Sequence, residues 1–170
     1  MTVTVGQFRK TNPSGFTLLE MVVTLSILAL LTAVAIPVIE TAVKREKEIQ
    51  LQQSLRMIRQ AIDEYKRLAD EKKIKTTPES FGYPPDLETL VNGVEIEQEF
   101  TDESGRKTTK KVTVKFLRRI PLDPMTNSCD WGLRSYQDKP DSDTWGGQNV
   151  YDVYTRSEGK ALDGTRYRDW

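Results

Sequence analysis

The sequence predicts an α+β protein in which a long N-terminal helix packs on a small antiparallel C-terminal sheet. Three observations support this fold class. An almost unbroken apolar run fills residues 15–39, apolar residues then recur at helical spacing over 51–69, and alternating patterns typical of strands follow residue 94. We expect a transmembrane first half of the helix, which is apolar all round, and an amphipathic second half.

The first half of the helix is long enough to span a membrane. Residues 21–39 carry no charge and are apolar except for three hydroxyl residues and Pro37. About 20 apolar residues, at roughly 1.5 Å each, cross a bilayer core of about 30 Å. Arg9 and Lys10 precede the run, and cations beside a first apolar segment predict a cytoplasmic N-terminus with export of the remainder.

The amphipathic half continues the same helix. Its apolar residues are spaced by 4, 3, 4, 3 and 4 positions, at Leu51, Leu55, Ile58, Ile62, Tyr65 and Ala69. No glycine interrupts residues 16–81, which predicts one helix from about Phe16 to about Lys73, roughly 85 Å long. Pro37 removes one backbone donor, so we expect it to bend or loosen the helix locally.

The exported remainder predicts shorter elements. A short helix is expected at 85–91, with Pro85 at its first position. Residues 94–100 and 112–116 predict a hairpin whose turn lies at 103–106. Two further strands are expected at 131–136 and 150–154. The amphipathic face of the long helix has to be buried, and this sheet is the only candidate.

Composition limits the function classes. Lys+Arg and Asp+Glu balance at 25 each in 170 residues, so nothing indicates bulk attraction to nucleic acid. The absence of histidine excludes mechanisms that need an imidazole base, such as a Ser-His-Asp triad, and most zinc sites. The single cysteine, Cys129, cannot form an intrachain disulfide.

A single carboxylate, Glu20, lies at the front edge of the apolar run. Thr17 and Glu20 have the T-x-x-E spacing of a capping box, which would start the helix. In the other interpretation Glu20 is buried in lipid or in a helix bundle, at a cost of at least about 2.5–3.5 kcal/mol, and is neutralised by a partner. If the leader were cleaved just before the apolar run, the new α-amine of a neighbouring molecule could supply that partner.

The segment Lys10–Glu20, KTNPSGFTLLE, with its apolar run and Pro37, resembles the class III signal of type IV pilins and pseudopilins. The resemblance implies cleavage after Gly15 by a membrane peptidase, methylation of the new N-terminal Phe16, and a role for Glu20 in subunit docking. It also implies the long bent helix and C-terminal sheet that the periodicity predicts independently.

Three later segments resemble the major (G-type) pseudopilin of type II secretion systems. They are YPP leading into LETL, LRRIPLDP, and the ending YDVY with ALDGT and DW, although the hairpin at 94–114 is longer than that family usually has. The resemblance implies a non-enzymatic subunit without a cofactor that self-assembles into a helical filament. Its partners would be the prepilin peptidase and methyltransferase, other pseudopilins and an inner-membrane assembly platform.

This resemblance implies a division into four parts. Residues 1–15 would be a cytoplasmic leader, 16–39 a transmembrane helix and filament core, 40–75 an amphipathic helix, and 76–170 a periplasmic domain. The expected location is therefore the bacterial inner membrane, crossed once.

Two alternative functions stay open. A type IV pilin or DNA-uptake pilin carries the same signal, and the latter would be expected to show a basic stripe. The one basic cluster largely alternates with apolar residues, as on an ordinary solvated face, so we expect no nucleic acid; it consists of Lys107, Lys110, Lys111, Arg118 and Arg119. The remoter alternative is a secreted protein released after Ala35, because Ala33–Ala35 resembles an A-x-A signal-peptidase site.

The C-terminal loops raise two further questions. Major pseudopilins have a calcium site in this region, and carboxylates are suitable calcium ligands. The acids lack the EF-hand spacing, so we expect a solvated polar loop and assign no ligands among Asp138, Asp141, Asp143, Asp152, Glu158, Asp163 and Asp169. Trp131, Trp145 and Trp170 are expected to be core or interface anchors.

Overall fold

The computed structural model describes residues 15–101 and 107–170. The expected leader, except for Gly15, and the expected hairpin turn at 103–106 lie outside the described residues, as do Arg9 and Lys10. The first of two compact units ends at Ala42, and the second spans Val43–Trp170. The elements are helices α1 (Leu18–Asp70) and α2 (Leu87–Asn92), strands β1 (Val94–Thr101), β2 (Lys107–Val114), β3 (Gly132–Arg134) and β4 (Asp152–Tyr154), and 3-10 turns at Pro78–Ser80 and Tyr167–Asp169.

Helix α1 confirms the long helix and runs without interruption through Pro37. It ends three residues before the predicted Lys73. Lys72 adopts a left-handed conformation with φ of 57°, and the amides of Lys72 and Lys73 donate to the carbonyls of Ala69 and Leu68 at 2.9 and 3.0 Å. These two bonds form a Schellman motif, which satisfies the last carbonyls and turns the chain out of the helix.

The predicted apolar stripe forms the core of the second unit. All six of its residues are buried, and α2, β1 and β4 contribute Leu90, Ile96 and Val153 to the same cluster. Burial of each such aliphatic side chain stabilises the fold by about 1.5–3 kcal/mol. The amphipathic half of α1 is therefore the central element of this unit.

Helix α2 begins later than predicted. Asp86, with an extended backbone, is its N-cap and accepts the Thr89 amide at 2.7 Å, so Pro85 lies before the cap and not at the first helical position. The expectation for Pro85 is thus wrong, because the capping carboxylate determines where the helix starts. At the other end Gly93 has φ of 86°, and a Cβ there would approach the Val114 carbonyl oxygen to 2.6 Å.

The predicted hairpin is present as an antiparallel pair of strands in which Val94 faces Val114 and Ile96 faces Val112. Strand β2 ends earlier than predicted, at Val114. The amides of Phe116 and Leu117 both donate to the Leu90 carbonyl, at 3.0 and 2.9 Å. These bonds turn the chain towards α2 and take Phe116 out of the strand.

In the described residues the four strands form two separate two-stranded sheets, β1–β2 and β3–β4, instead of the single sheet that the sequence predicts. The second pair is antiparallel, with Gly132 facing Tyr154. The Tyr154 ring lies directly over Gly132, where any Cβ would collide with it. The α+β class is confirmed, and the sheet is divided because the chain turns onto α2 after β2.

Candidate processing and assembly site

The junction between leader and helix is exposed and non-helical. Gly15, Phe16 and Thr17 precede the first turn of α1, and the Phe16 ring is 74% exposed. Proteolysis concentrates in exposed, irregular segments. The Gly15–Phe16 bond lies in such a segment, just outside the helix.

One half of the predicted capping box is formed. The Glu20 amide donates to the Thr17 hydroxyl oxygen at 3.2 Å, and the Met21 amide donates to the Thr17 carbonyl at 3.1 Å. The return bond, from the Thr17 amide to the Glu20 carboxylate, is not formed between these two described residues. Thr17 therefore caps the helix without help from the Glu20 carboxylate.

The other polar side chains of the apolar run bond to their own helix. Thr24, Ser26 and Thr32 donate to carbonyl oxygens three or four residues earlier, at 2.7 to 3.0 Å. Beyond the predicted span, Thr41 does the same with the Pro37 carbonyl at 2.9 Å. In the part of the chain that the structure describes, no side chain donates to the exposed Glu20 carboxylate. Glu20 thus differs from every other polar group of the run.

The apolar half of α1 has no internal partner. Within the described residues it is the one helix long and apolar enough to cross a membrane, with a mean hydropathy of 2.6 over its best 18-residue stretch. None of that stretch is buried. Such a surface is stable only in a lipid environment or against other apolar helices.

Arg59 joins α1 to the end of the chain. Its Nε donates to Asp152 Oδ1 at 2.7 Å, and its Nη2 donates to the carbonyl oxygens of Val153 at 3.2 Å and Trp170 at 2.8 Å. One guanidinium group therefore holds a strand and the C-terminal segment against the helix, using the fork of donors that lysine lacks.

Glu48 makes a second connection of this kind. Its Oε1 accepts the Leu162 amide and the Tyr167 hydroxyl, both at 2.9 Å. Burial raises the pKa of Tyr167 to about 12, and the hydrogen bond to Glu48 adds to this shift. We call Glu48, Arg59, Asp152 and Tyr167 the C-terminal clasp.

Sequence reasoning missed the clasp. Glu48 precedes Leu51 by three residues and Arg59 follows Leu55 by four, so both lie beside the apolar stripe of α1. The signal available in the sequence was a charged residue at the edge of the apolar stripe. The partners of Glu48 and Arg59 lie about a hundred positions away, so local patterns could not reveal them.

The acids considered as calcium ligands do not converge. Within the described ranges no three acidic, histidine or cysteine side chains gather to hold a metal ion. Asp138 accepts the Ser135 and Gly146 amides at 2.7 and 3.0 Å, which lowers its pKa. Asp163 bonds to the Thr165 hydroxyl and amide, which lowers its pKa as well. Three further acids pair with arginines: Asp143 with Arg168, Asp152 with Arg59, and Asp169 with Arg166.

The tryptophans differ in burial: Trp131 lies in the core, Trp170 packs against the core, and Trp145 is 41% exposed. The indole N–H of Trp131, which is buried, donates to the Pro121 carbonyl at 2.9 Å. Those of Trp145 and Trp170 donate at 2.8 Å to the Asn149 carbonyl and the Thr165 hydroxyl. All three rings are thus fixed by local hydrogen bonds.

The remaining candidates lie on the surface. Lys111 pairs with Glu95 at 3.6 Å, and the Lys110 ammonium lies 5.9 Å from the Phe100 ring centre. Cys129 is exposed as a free thiol. Ala35, the alternative cleavage position, lies inside α1.

Comparison with known families gives a match at the N-terminal part of the chain. Residues 10–36 match the family model described as the prokaryotic N-terminal methylation motif. The searches of curated proteins and of solved structures found no match. The matched span contains Gly15, Phe16 and Glu20. Pilin-like proteins with this motif are structural, are processed by a prepilin peptidase and assemble into filaments.

The geometry and the match thus concern the same residues. An accessible junction at Gly15 leads directly into an apolar helix that the rest of the described chain leaves uncovered. The chain therefore carries the N-terminal methylation motif of prokaryotic pilin-like proteins, the class that comprises type IV pilins and pseudopilins.

Proposed function

We propose that this chain is a structural subunit of a type II secretion pseudopilus. It is inserted in the bacterial inner membrane with the N-terminus cytoplasmic and residues 76–170 periplasmic. The prepilin peptidase cuts after Gly15 and Phe16 is N-methylated. The match over residues 10–36 and the accessible Gly15–Phe16 bond support this processing.

Assembly proceeds through the apolar half of α1. Subunits leave the membrane and pack these helices together, which removes the uncovered apolar surface from water and lipid. The contact is head-to-tail and does not close, so the filament grows. It involves an inner-membrane assembly platform and other pseudopilins.

The carboxylate of Glu20 docks each new subunit. It is the one polar side chain of the run without a hydrogen-bond partner among the described residues, and this observation carries the proposal. The α-amine created at Phe16 of a neighbouring subunit supplies the missing cation. Low dielectric inside the helix bundle strengthens the attraction and offsets the cost of burying the acid.

The assignment to type II secretion rests on the later segments of the sequence. The YPP, LRRIPLDP and YDVY segments resemble the major pseudopilin, and one cysteine cannot close the disulfide loop that many pilins have. A type IV pilin or DNA-uptake pilin is the second candidate because it shares the methylation motif. Genomic neighbours distinguish them: a secretin with further pseudopilins favours secretion, and retraction or DNA-processing components favour a pilus.

The substitution Glu20→Gln tests docking. It keeps the size of the side chain and leaves the Thr17 cap in place, so we expect normal insertion and cleavage but no filaments in electron micrographs. Thr17→Val is the matched control, since it removes only the cap acceptor and should still give filaments. Wild-type filament yield from Glu20→Gln would contradict the docking role.

N-terminal sequencing of the mature chain tests processing separately. We expect N-methylated phenylalanine, corresponding to Phe16, as the first residue. A mature chain that begins at Ile36 would instead establish release by ordinary signal peptidase and would exclude a filament subunit.

A further inference from the structure

Three arginines lie among the acids of the C-terminal loops. A cavity of about 420 Å³ is lined by Arg134, Arg166 and Arg168 together with Asp141, Asp143 and Asp169. The formal charges of these six side chains cancel. The acids that could attract a divalent cation are therefore already balanced by guanidinium groups of the same chain.

Arg168, whose side chain is 28% exposed, makes two contacts beside the cavity. Its Nη2 pairs with Asp143 Oδ1, and its guanidinium carbon lies 5.8 Å from the centre of the Tyr154 ring. Arg134 lies over the same ring at 4.3 Å, and its side chain is 13% exposed. Cations above an aromatic face are attracted by the ring quadrupole. Tyr154 thus helps to hold two guanidinium groups beside the acids.

Arg166 closes the other side of the cavity. Its Nε and Nη2 donate to the two carboxylate oxygens of Asp169 at 2.9 and 3.2 Å, a two-pronged pairing that orients the carboxylate. Arg59 and Asp152 form an ion pair of the same type. In each of these contacts the carboxylate oxygens face guanidinium N–H groups. They are therefore not free to converge on a metal ion.

A calcium ion does not fit this donor set. Calcium takes six to eight oxygen ligands at about 2.3–2.6 Å. Here Asp143 and Asp169 face N–H donors, and Asp138 and Asp163 are engaged by backbone amides and a threonine. A bound divalent cation would either have to displace these arginines or add two positive charges to a cavity whose formal charges already cancel.

We propose that guanidinium groups, rather than a bound divalent cation, hold the C-terminal loops together. Arg168 connects the loop at Asp143 to the C-terminal turn, Arg166 engages Asp169 within that turn, and Arg134 lines the same cavity. The stability of the periplasmic unit is consequently independent of calcium. This inference concerns the fold and does not depend on which secretion or pilus system uses the subunit.

The test uses the full chain in detergent micelles. Thermal unfolding followed by circular dichroism should give the same midpoint in excess EGTA and in millimolar calcium, and terbium, a luminescent calcium substitute, should show no saturable sensitised emission. Arg168→Ala should lower the midpoint by about 2 °C, since a partly exposed ion pair contributes up to about 1 kcal/mol. High salt should reduce the difference in midpoint between wild type and Arg168→Ala, because salt screens the Arg168–Asp143 ion pair.

Arg156→Ala is the matched control. Arg156 pairs with Asp130 at 3.2 Å, with both side chains more than half exposed, and does not line the cavity. The unfolding midpoint of Arg156→Ala should equal that of wild type. The midpoint of Arg168→Lys should lie between those of wild type and Arg168→Ala. A midpoint that rises with calcium, saturable terbium emission, or equal midpoints for Arg168→Ala and Arg156→Ala would overturn the proposal.

Discussion

Asp123 is the one buried carboxylate among the described residues, and hydrogen bonds stabilise it. Asp123 is fully buried and accepts the Met125 amide at 2.8 Å and the hydroxyl groups of Thr126 and Thr155 at 3.1 and 2.5 Å. An unpaired carboxylate at such depth would cost several kcal/mol. Asp123 therefore ties its own turn to the segment after β4, and no charge partner is needed for it to do so.

Tyr167 makes the clasp sensitive to alkaline pH. Its pKa is raised by burial to about 12, compared with 10.0 for an unperturbed tyrosine. Between these values the unfolded chain loses the proton while the folded chain keeps it, so the stability contributed by neutral Tyr167 is complete below pH 10 and is lost as the pH rises through 12.

Urea unfolding of wild type and Tyr167→Phe measures this effect. The phenylalanine variant lacks the ionisation and the bond to Glu48, so wild type should be the more stable below pH 10 and its advantage should shrink between pH 10 and pH 12. Other tyrosines titrate equally in both proteins and cancel. A difference that does not change over this range would show that Tyr167 is not perturbed.

At the scale of elements, the β1–β2 hairpin contacts the core through the end that begins at Val94. Val94 and Ile96 pack on the core, whereas Phe100, further out, is 39% exposed. An isolated two-stranded hairpin is marginally stable in water. We infer that the outer half of the hairpin contributes little to the folding of the second unit.

Shortening the hairpin tests this inference. Replacing residues 98–110 by Asn-Gly joins Glu97 to Lys111, which already face each other, and should change the free energy of unfolding by less than about 1 kcal/mol. Ile96→Ala is the control and should cost about 2–5 kcal/mol, because this side chain is buried. Equal losses for the two variants would mean that the whole hairpin is part of the core.

The elements also show what the sequence could predict. The spacing of the α1 stripe predicted its buried face because helical periodicity is local. The start of α2 was misplaced because the Asp86 cap outweighed the preference of Pro85. The division of the sheet arises from two amides donated to the Leu90 carbonyl, a tertiary contact that no local pattern reveals.

The same limit applies to the candidate site. The order of Gly15, Phe16, Thr17 and Glu20 is a local motif, so the sequence predicted the Thr17 cap, and the proposed processing position rests on the same motif. The clasp and the arginines among the C-terminal acids depend on contacts between distant segments. The sequence assigned no calcium ligands among these acids, and charge type alone could not reveal the guanidinium partners that the fold supplies to Asp143 and Asp169.

At the scale of the molecule, the two units differ in whether their apolar residues are buried within the unit. The second unit, Val43–Trp170, contains its own core, to which α1 contributes residues from Leu51 onwards. The apolar half of α1 contributes no buried residue to the described structure. A domain that buries its own core can fold without the segment that anchors it.

A chain of residues 43–170 should therefore be a soluble, folded monomer. We expect a cooperative melt without detergent and a single monomeric peak by size-exclusion chromatography with light scattering. A chain of residues 58–170 is the control, since it lacks Leu51 and Leu55, which are 0% and 2% exposed, and also the clasp residue Glu48. Loss of two buried leucines at about 2–5 kcal/mol each would consume most of the stability of a small domain, so this chain should be unfolded or aggregated. Aggregation of 43–170 itself would instead show that the apolar half of α1 is needed for folding as well as for anchoring.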